Sequence, residues 1–310
     1  MNQKAIDEKY MRRCLQLAKN GRQNARPNPM VGAVIAYKGR IIGEGYHIRC
    51  GESHAEVNAF ASVSSENETF LADSTLYVSL EPCSHFGKTP PCADLIVQKG
   101  VKRVVVGCVD PFAKVQGRGI EKLRNAGIEV AIGILEKECQ WLNRRFFTFH
   151  REHRPYIILK WAQTQNHYLD DHFRPLSIST PFTKMLSHQL RSKEDAILVG
   201  RITDEREHPQ LNVRDWSGQD PTRFVLSHET PIESILQDCY ERGLQSLIVE
   251  GGTRTLQSFL DADLWDEIRV ETAPVQVLDG TKAPEIPADT KVLSREMYDK
   301  NIIIRYKKDR

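Results

Sequence analysis

Residues 7–20 set Met11, Cys14, Leu15 and Ala18 at three- and four-residue spacing, which predicts an amphipathic helix stopping near Gly21. After the loop RPNP, the runs MVGAVIAY and RIIGEGYH read as strands, with Lys38-Gly39 as the hairpin turn. The pattern then alternates: HAEVNAFASV as a helix, TLYVSL as a strand, CADLIVQKG as a glycine-stopped helix and KRVVVGCVD as a strand. GIEKLRNAG and IEVAIGI add a helix and a strand, and ECQWLNRRFFTFH closes this half as one helix. At Arg151–Pro155, REHRP, the pattern breaks into charge and proline, and a domain boundary is expected there. The second half resumes with the strand YIILKWA and the helix PFTKMLSHQLRS, followed by strands DAILVG and TRFVLS. PIESILQDCYERG, QSLIV, TRTLQSFLDA, DEIRVET and NIIIRY complete the series as helix, strand, helix, strand and strand. Strands alternating with helices of this length predict an α/β protein in two domains, residues 1–150 and 156–310.

Composition narrows the class. The 310 residues are 27% charged and 40% hydrophobic with a formal net charge of +2, as in ordinary globular proteins. That balance gives no basic footprint for nucleic acid, and the aromatics of NRRFFTFHREHR, Phe146, Phe147 and Phe149, read as helix packing. The polar start MNQKAIDEKYMRRC lacks the apolar core of a signal peptide, and no run approaches the ~20 apolar residues needed to span a bilayer. A cytoplasmic protein with no membrane partner is expected. Seven cysteines, an odd number spread thinly, argue against a disulfide framework. Cys14, Cys108 and Cys239 sit in apolar surroundings and read as buried small hydrophobes.

Chemistry concentrates in two places. His54-Ala55-Glu56 opens a predicted helix, and Pro82-Cys83 follows a strand, with eight residues between Cys83 and Cys92. One imidazole and two thiolates are good zinc ligands that leave a tetrahedral position free for water. Zinc lowers the pKa of such a water toward ~7, and Glu56, two residues from a ligand, can shuttle protons. Three ligands with a non-ligand glutamate match the H-x-E and P-C signature of hydrolytic zinc deaminases. A structural zinc would want a fourth side chain, for which His85 is the candidate nearby. In the second half, Glu250-Gly251-Gly252 between a strand and a helix suits a phosphate, because glycines let backbone N–H groups approach an anion.

The blocks RPNPMVGAVI, GEGYH, GESHAEV, SLEPCSHFGKTPPC and DPFAKVQGRG resemble the deaminase half of the bifunctional riboflavin-biosynthesis deaminase/reductases. The resemblance extends over essentially the whole chain. It implies a cytidine-deaminase-like three-layer α/β/α domain followed by a dihydrofolate-reductase-like α/β domain. It also implies a phosphorylated diaminopyrimidine substrate whose ring amino group leaves as ammonia, and then reduction of the ribosyl group to ribityl. By the family pattern His54, Cys83 and Cys92 hold zinc, Glu56 moves protons, and Asn28, His47 and Lys88 contact substrate. In the reductase half the resemblance places Arg191, Leu211, Arg214 and Glu250 at the substrate. It places Ala162, Thr203, Glu207, Gly252 and Thr253 at NADPH, and assembly into a homo-oligomer is expected.

The second half also departs from the family. Thr164-Gln165-Asn166-His167 replaces a serine-x-aspartate-glycine turn, so a changed turn shape is expected. Pro175-Leu176-Ser177 replaces a serine-x-tryptophan segment, Asn212 stands for a threonine, and the chain after TRFVLS is short. An active trimmed reductase and a domain kept only to support the deaminase both remain open. A nucleobase or tRNA deaminase is disfavoured by the eight residues between the cysteines, where those enzymes usually have two. A non-enzymatic binding module would leave Glu56 idle.

Overall fold

The computed structural model describes residues 2–85, 90–111, 117–172, 174 and 176–308. The chain forms two compact units, Met1–Glu152 and His153–Arg310. In the first, α1 (Gln3–Ala18) is capped by the Asn2 side chain, which accepts from Ala5 N–H, so the helix starts earlier than its apolar spacing suggests. Then come β1 (Gly32–Tyr37), β2 (Arg40–Tyr46), α2 (Ala55–Ala61), α3 (Ser65–Glu68), β3 (Thr75–Leu80), α4 (Cys92–Lys99) and β4 (Arg103–Cys108). The unit closes with α5 (Arg118–Asn125), β5 (Glu129–Ile132), α6 (Glu136–Leu142) and α7 (Arg144–Glu152). Lys38 and Gly39 both take positive φ, as the tight hairpin between β1 and β2 requires.

The sheet runs β2-β1-β3-β4-β5, antiparallel around β1 and parallel from β3 to β5. Alternate residues supply its two faces. Val34, Tyr77 and Val105 pack against Met11, Cys14, Leu142 and Phe146 on one side. Ile35, Leu76 and Val104 pack against Ala55, Ala59, Ile96, Ile120 and Leu123 on the other. Such a sheet buried on both faces is the three-layer architecture that the alternating pattern predicts. Phe146, Phe147 and Phe149 are buried, in keeping with packing. One correction concerns the last helix, which is two helices interrupted at Asn143.

The second unit contains β6 (Tyr156–Thr164), α8 (Pro181–Arg191), β7 (Ala196–Gly200), α9 (Arg201–Glu207), β8 (Thr222–Leu226) and α10 (Ile232–Glu241). These are followed by β9 (Ser246–Glu250), α11 (Thr253–Asp261), β10 (Glu267–Ala273), β11 (Thr290–Tyr298) and β12 (Asn301–Lys308). The sheet order is β11-β12-β10-β6-β9-β7-β8, with β12 antiparallel to both neighbours and the other pairs parallel. One face is apolar: Ile157, Leu159, Trp161, Ile268 and Val270 pack with Leu236, Leu256 and Phe259 of α10 and α11. β11 is absent from the sequence reading because TKVLSREMY is an edge strand, largely exposed, without an apolar side to reveal it. The Thr164–His167 turn brings a second correction. His167 takes φ 65°, the left-handed conformation a glycine would favour, and its ring meets the Gln163 amide at 3.0 Å. The turn therefore keeps a glycine-like backbone.

Candidate metal centre and active site

The centre of the first unit is assembled from two element ends. His54 is the N-cap residue of α2, and Glu56 lies in that helix's first turn. α2 rides close to the sheet because β2 has glycines beneath it: a Cβ on Gly45 would lie 2.5 Å from Ala59 N, and one on Gly43 2.6 Å from Ala59 O. Cys83 follows β3 through Glu81-Pro82, and Cys92 is the first residue of α4. The Cys92 N–H donates to Cys83 Sγ at 3.3 Å, so the positive end of α4 faces the sulfur.

These ends converge. His54 Nδ1 stands 3.3 Å from Cys92 Sγ and 3.6 Å from Cys83 Sγ, and the three ligand atoms lie within 4.8 Å of one another. The Cys83 thiol is lowered to about 4, first by a hydrogen bond from Cys92 and then, against burial, by His54; the same sharing raises Cys92. His54 is raised, mainly by its bond to Cys83. Two sulfurs and an imidazole sharing protons at this spacing form a donor set suited to a soft divalent cation, three corners of a zinc tetrahedron. Glu56 is 3% exposed, and burial, then the nearby Cys83 charge, raises its carboxyl to about 7. His85 is exposed and outside this cluster, and Lys88 lies outside the described residues.

Asn28 and His47 meet beside the centre. The His47 Nδ1–H donates to Ser53 O at 3.1 Å, which leaves Nε2 to accept from Asn28 Nδ2, also at 3.1 Å. Burial lowers the His47 pKa, so the ring is neutral near pH 7, and its centroid lies 5.3 Å from that of His54. A cavity of about 440 Å³ lined by Ile48, Gly51, Glu52, Ser53 and Asn58 adjoins them. Asn143 supports this corner and escaped the sequence reading. Its amide accepts from Met30 N and donates to Met30 O, both at 2.8 Å, and so fixes the loop carrying Asn28. The available signal was an asparagine, a poor helix former, inside the predicted helix ECQWLNRRFFTFH.

In the second unit Glu250, at the end of β9, receives Arg191 at 3.0 and 3.3 Å and Lys160 at 3.5 Å. Burial alone would raise this carboxyl, but the Lys160 and Arg191 charges outweigh it and hold it at about 2. Lys160 was missed, although a lone lysine inside YIILKWA was legible. Asn212 links the two predicted arginines: its carbonyl accepts from Arg191 at 3.4 Å and its side chain from the exposed Arg214 at 2.9 Å. Leu211 beside it is buried, with φ 53°. Gly251 has φ 151°, and a Cβ there would lie 3.5 Å from Gly200 N and 3.8 Å from the Thr203 hydroxyl, so Thr203 borders the glycine turn. Gly252 caps α11 without a side-chain hydrogen bond, and the Thr253 hydroxyl donates to Lys282 O. Ala162 is half-buried in β6, and Glu207 ends α9 on the surface.

A histidine at a helix start, two cysteines and a buried glutamate on a three-layer α/β/α fold define a zinc-dependent deaminase unit, here followed by a reductase-type α/β unit. Residues 4–108 match the cytidine and deoxycytidylate deaminase zinc-binding region, and residues 155–234 and 229–302 match the RibD C-terminal domain. The chain belongs to the family of bifunctional riboflavin-biosynthesis deaminase/reductases. The riboflavin biosynthesis protein RibD of Aquifex aeolicus is 38% identical over 318 residues, 87% of each chain. That of Synechocystis sp. is 40% identical over 239 residues, 75% of this chain and 63% of the relative. Among solved structures, the diaminohydroxyphosphoribosylaminopyrimidine deaminase/5-amino-6-(5-phosphoribosylamino)uracil reductase of Thermotoga maritima superposes with a TM-score of 0.89. It is 33% identical, and the match covers 99% of this chain and 100% of that one. The protein is thus an enzyme of riboflavin biosynthesis with a zinc-dependent deaminase domain and an NADPH-dependent reductase domain. Among the described residues no helix is long and apolar enough to cross a membrane.

Proposed function

We propose that the first unit removes a ring amino group, as ammonia, from 2,5-diamino-6-(5-phosphoribosylamino)pyrimidin-4-one, and that the second reduces the product's ribosyl group to ribityl. The observation that carries this reading is the convergence of His54, Cys83 and Cys92 with Glu56 buried beside them. His54, Cys83 and Cys92 would hold zinc, which supplies the Lewis acidity that activates water near neutral pH. Glu56 takes a proton from the attacking water and returns one to the departing amine, a task suited to a carboxyl at about 7. Asn28 and the neutral His47 orient the pyrimidine ring, and Lys88 adds a cation for the phosphorylated substrate.

In the second unit Arg191 and Arg214, joined through Asn212, bind the substrate phosphate, with Leu211 and Glu250 beside the ribosyl group. Ala162, Thr203, Glu207, Gly252 and Thr253 would hold NADPH, which would supply the hydride. The uncapped start of α11 gives its phosphates backbone donors. Seven free cysteines fit a reducing cytosol.

The test is sequential. Purified protein should carry about one zinc per chain and release ammonia from the diaminopyrimidine nucleotide; finding neither overturns the first half. The deaminated product should then drive NADPH oxidation. Ammonia release with no oxidation at high enzyme overturns the second half.

A further inference from the structure

We propose that Glu81 is a positioning residue of the metal centre, whose carboxylate locks the turn that delivers Cys83. Glu81 follows the last residue of β3, and its N–H continues the sheet by donating to Cys108 O at 2.9 Å. Its side chain does not turn out to water: the residue is 4% exposed. Both oxygens are occupied by backbone N–H groups. Oε2 accepts from Asp110 at 3.3 Å and Gly117 at 3.0 Å, and Oε1 accepts from Gly119 at 3.0 Å and Ile120 at 3.4 Å. One buried carboxylate thus gathers the end of the β4 segment and the start of α5 against the residue two before Cys83.

The packing makes this junction intolerant of movement. Gly119 sits so close that a Cβ there would lie 2.1 Å from Pro82 O and 3.3 Å from Glu81 Oε1. The first turn of α5 therefore presses on the peptide immediately before Cys83. A burial of this kind is costly unless every lone pair is engaged, and here the α5 N-terminus supplies charge-complementary donors. Leu80, Pro82 and Cys108 could be aligned by packing alone. A buried anion ringed by four amides fixes one geometry, because each N–H left without an acceptor is penalised. Cys83 inherits that fixed geometry, and with it the 3.3 Å contact from Cys92 N–H and the 3.6 Å approach to His54. Glu81 touches none of Asn28, His47 or Glu56, so it acts on the ligand turn and leaves substrate contacts alone.

This inference rests on reading His54, Cys83 and Cys92 as zinc ligands, and the test separates the two. Zinc is first quantified in the wild-type protein; a metal-free wild type would overturn both the ligand assignment and the inference built on it. Glu81→Gln replaces an acceptor oxygen by an NH2 that faces amide donors. Glu81→Asp keeps the charge but cannot reach all four amides, and serves if the glutamine variant does not fold. Zinc release to a chromophoric chelator, measured where circular dichroism shows each variant folded, should be faster by roughly 10–100-fold for Gln, with Asp between Gln and wild type. The kcat for ammonia release should fall by a similar factor with KM within about twofold. Asp7→Asn, which removes a buried carboxylate elsewhere in the same unit, should release zinc at the wild-type rate and so controls for lost stability. A zinc-bearing wild type whose Glu81 variants match it in zinc release and kcat overturns the inference and leaves the ligand assignment standing. An effect confined to KM also overturns it.

Discussion

Glu56 carries a conflict that only its surroundings resolve. A carboxylate is normally ionised near pH 7, yet burial and the adjacent sulfur hold this one at about 7, where it can both accept and give a proton. Glu56→Gln keeps the volume and removes the titration. Zinc content should be unchanged while ammonia release falls by about 10²–10⁴; full activity in the variant would show that another group moves the proton. Asp7 is the structural counterpart. Burial alone would raise it, but hydrogen bonds from Arg103 and Gln3, with the Arg103 charge, hold it below its ordinary value of 3.8. Its contribution is therefore complete above about pH 4 and lost as pH falls through the lower folded value. Asp7→Asn should cost about 3 kcal/mol near pH 7. The difference from wild type should shrink in denaturant titrations below pH 4, and a constant difference across that range would contradict the linkage.

At the scale of elements, the position of His54 and Glu56 depends on how closely α2 lies on β2. Gly43 and Gly45 permit that approach, and the sequence reading saw in RIIGEGYH only a strand with glycines. Gly45→Ala would drive a methyl into backbone of Asn58 and Ala59. The expected result is a loss of about 1–3 kcal/mol together with weaker zinc retention, measured by thermal unfolding and metal analysis; unaltered retention would mean that α2 can shift without carrying His54 along. Elements with a helical apolar spacing or a continuous apolar run were legible, as α1 and α8 on the one hand and β1, β3 and β6 on the other attest. The split of the last helix at Asn143 was not, because the residue that breaks it is bonded to Met30, 113 positions earlier. β11 was hidden for the opposite reason, since an exposed edge strand needs no apolar side.

For the whole molecule, the two units hold separate cores and separate chemistries. Because zinc would bind only the folded first unit, its removal by a chelator should destabilise that unit by about 4 kcal/mol where the free metal had stood at a thousand times Kd. Differential scanning calorimetry should show the transition of the first unit moving down while that of the second stays in place. Equal movement of both would mean that they unfold as one. The sequence by itself determined the two α/β units and the types of side chain available for chemistry, because hydrophobic period and motif spacing are local. Tertiary structure decided which of those side chains meet. It brought Cys83 and Cys92 onto His54, set Lys160 and Arg191 on Glu250, kept His167 in a glycine's conformation and buried Glu81 among four amides. Each of these is a balance between the cost of burying a polar or strained group and partners distant in sequence, and local pattern does not encode that balance.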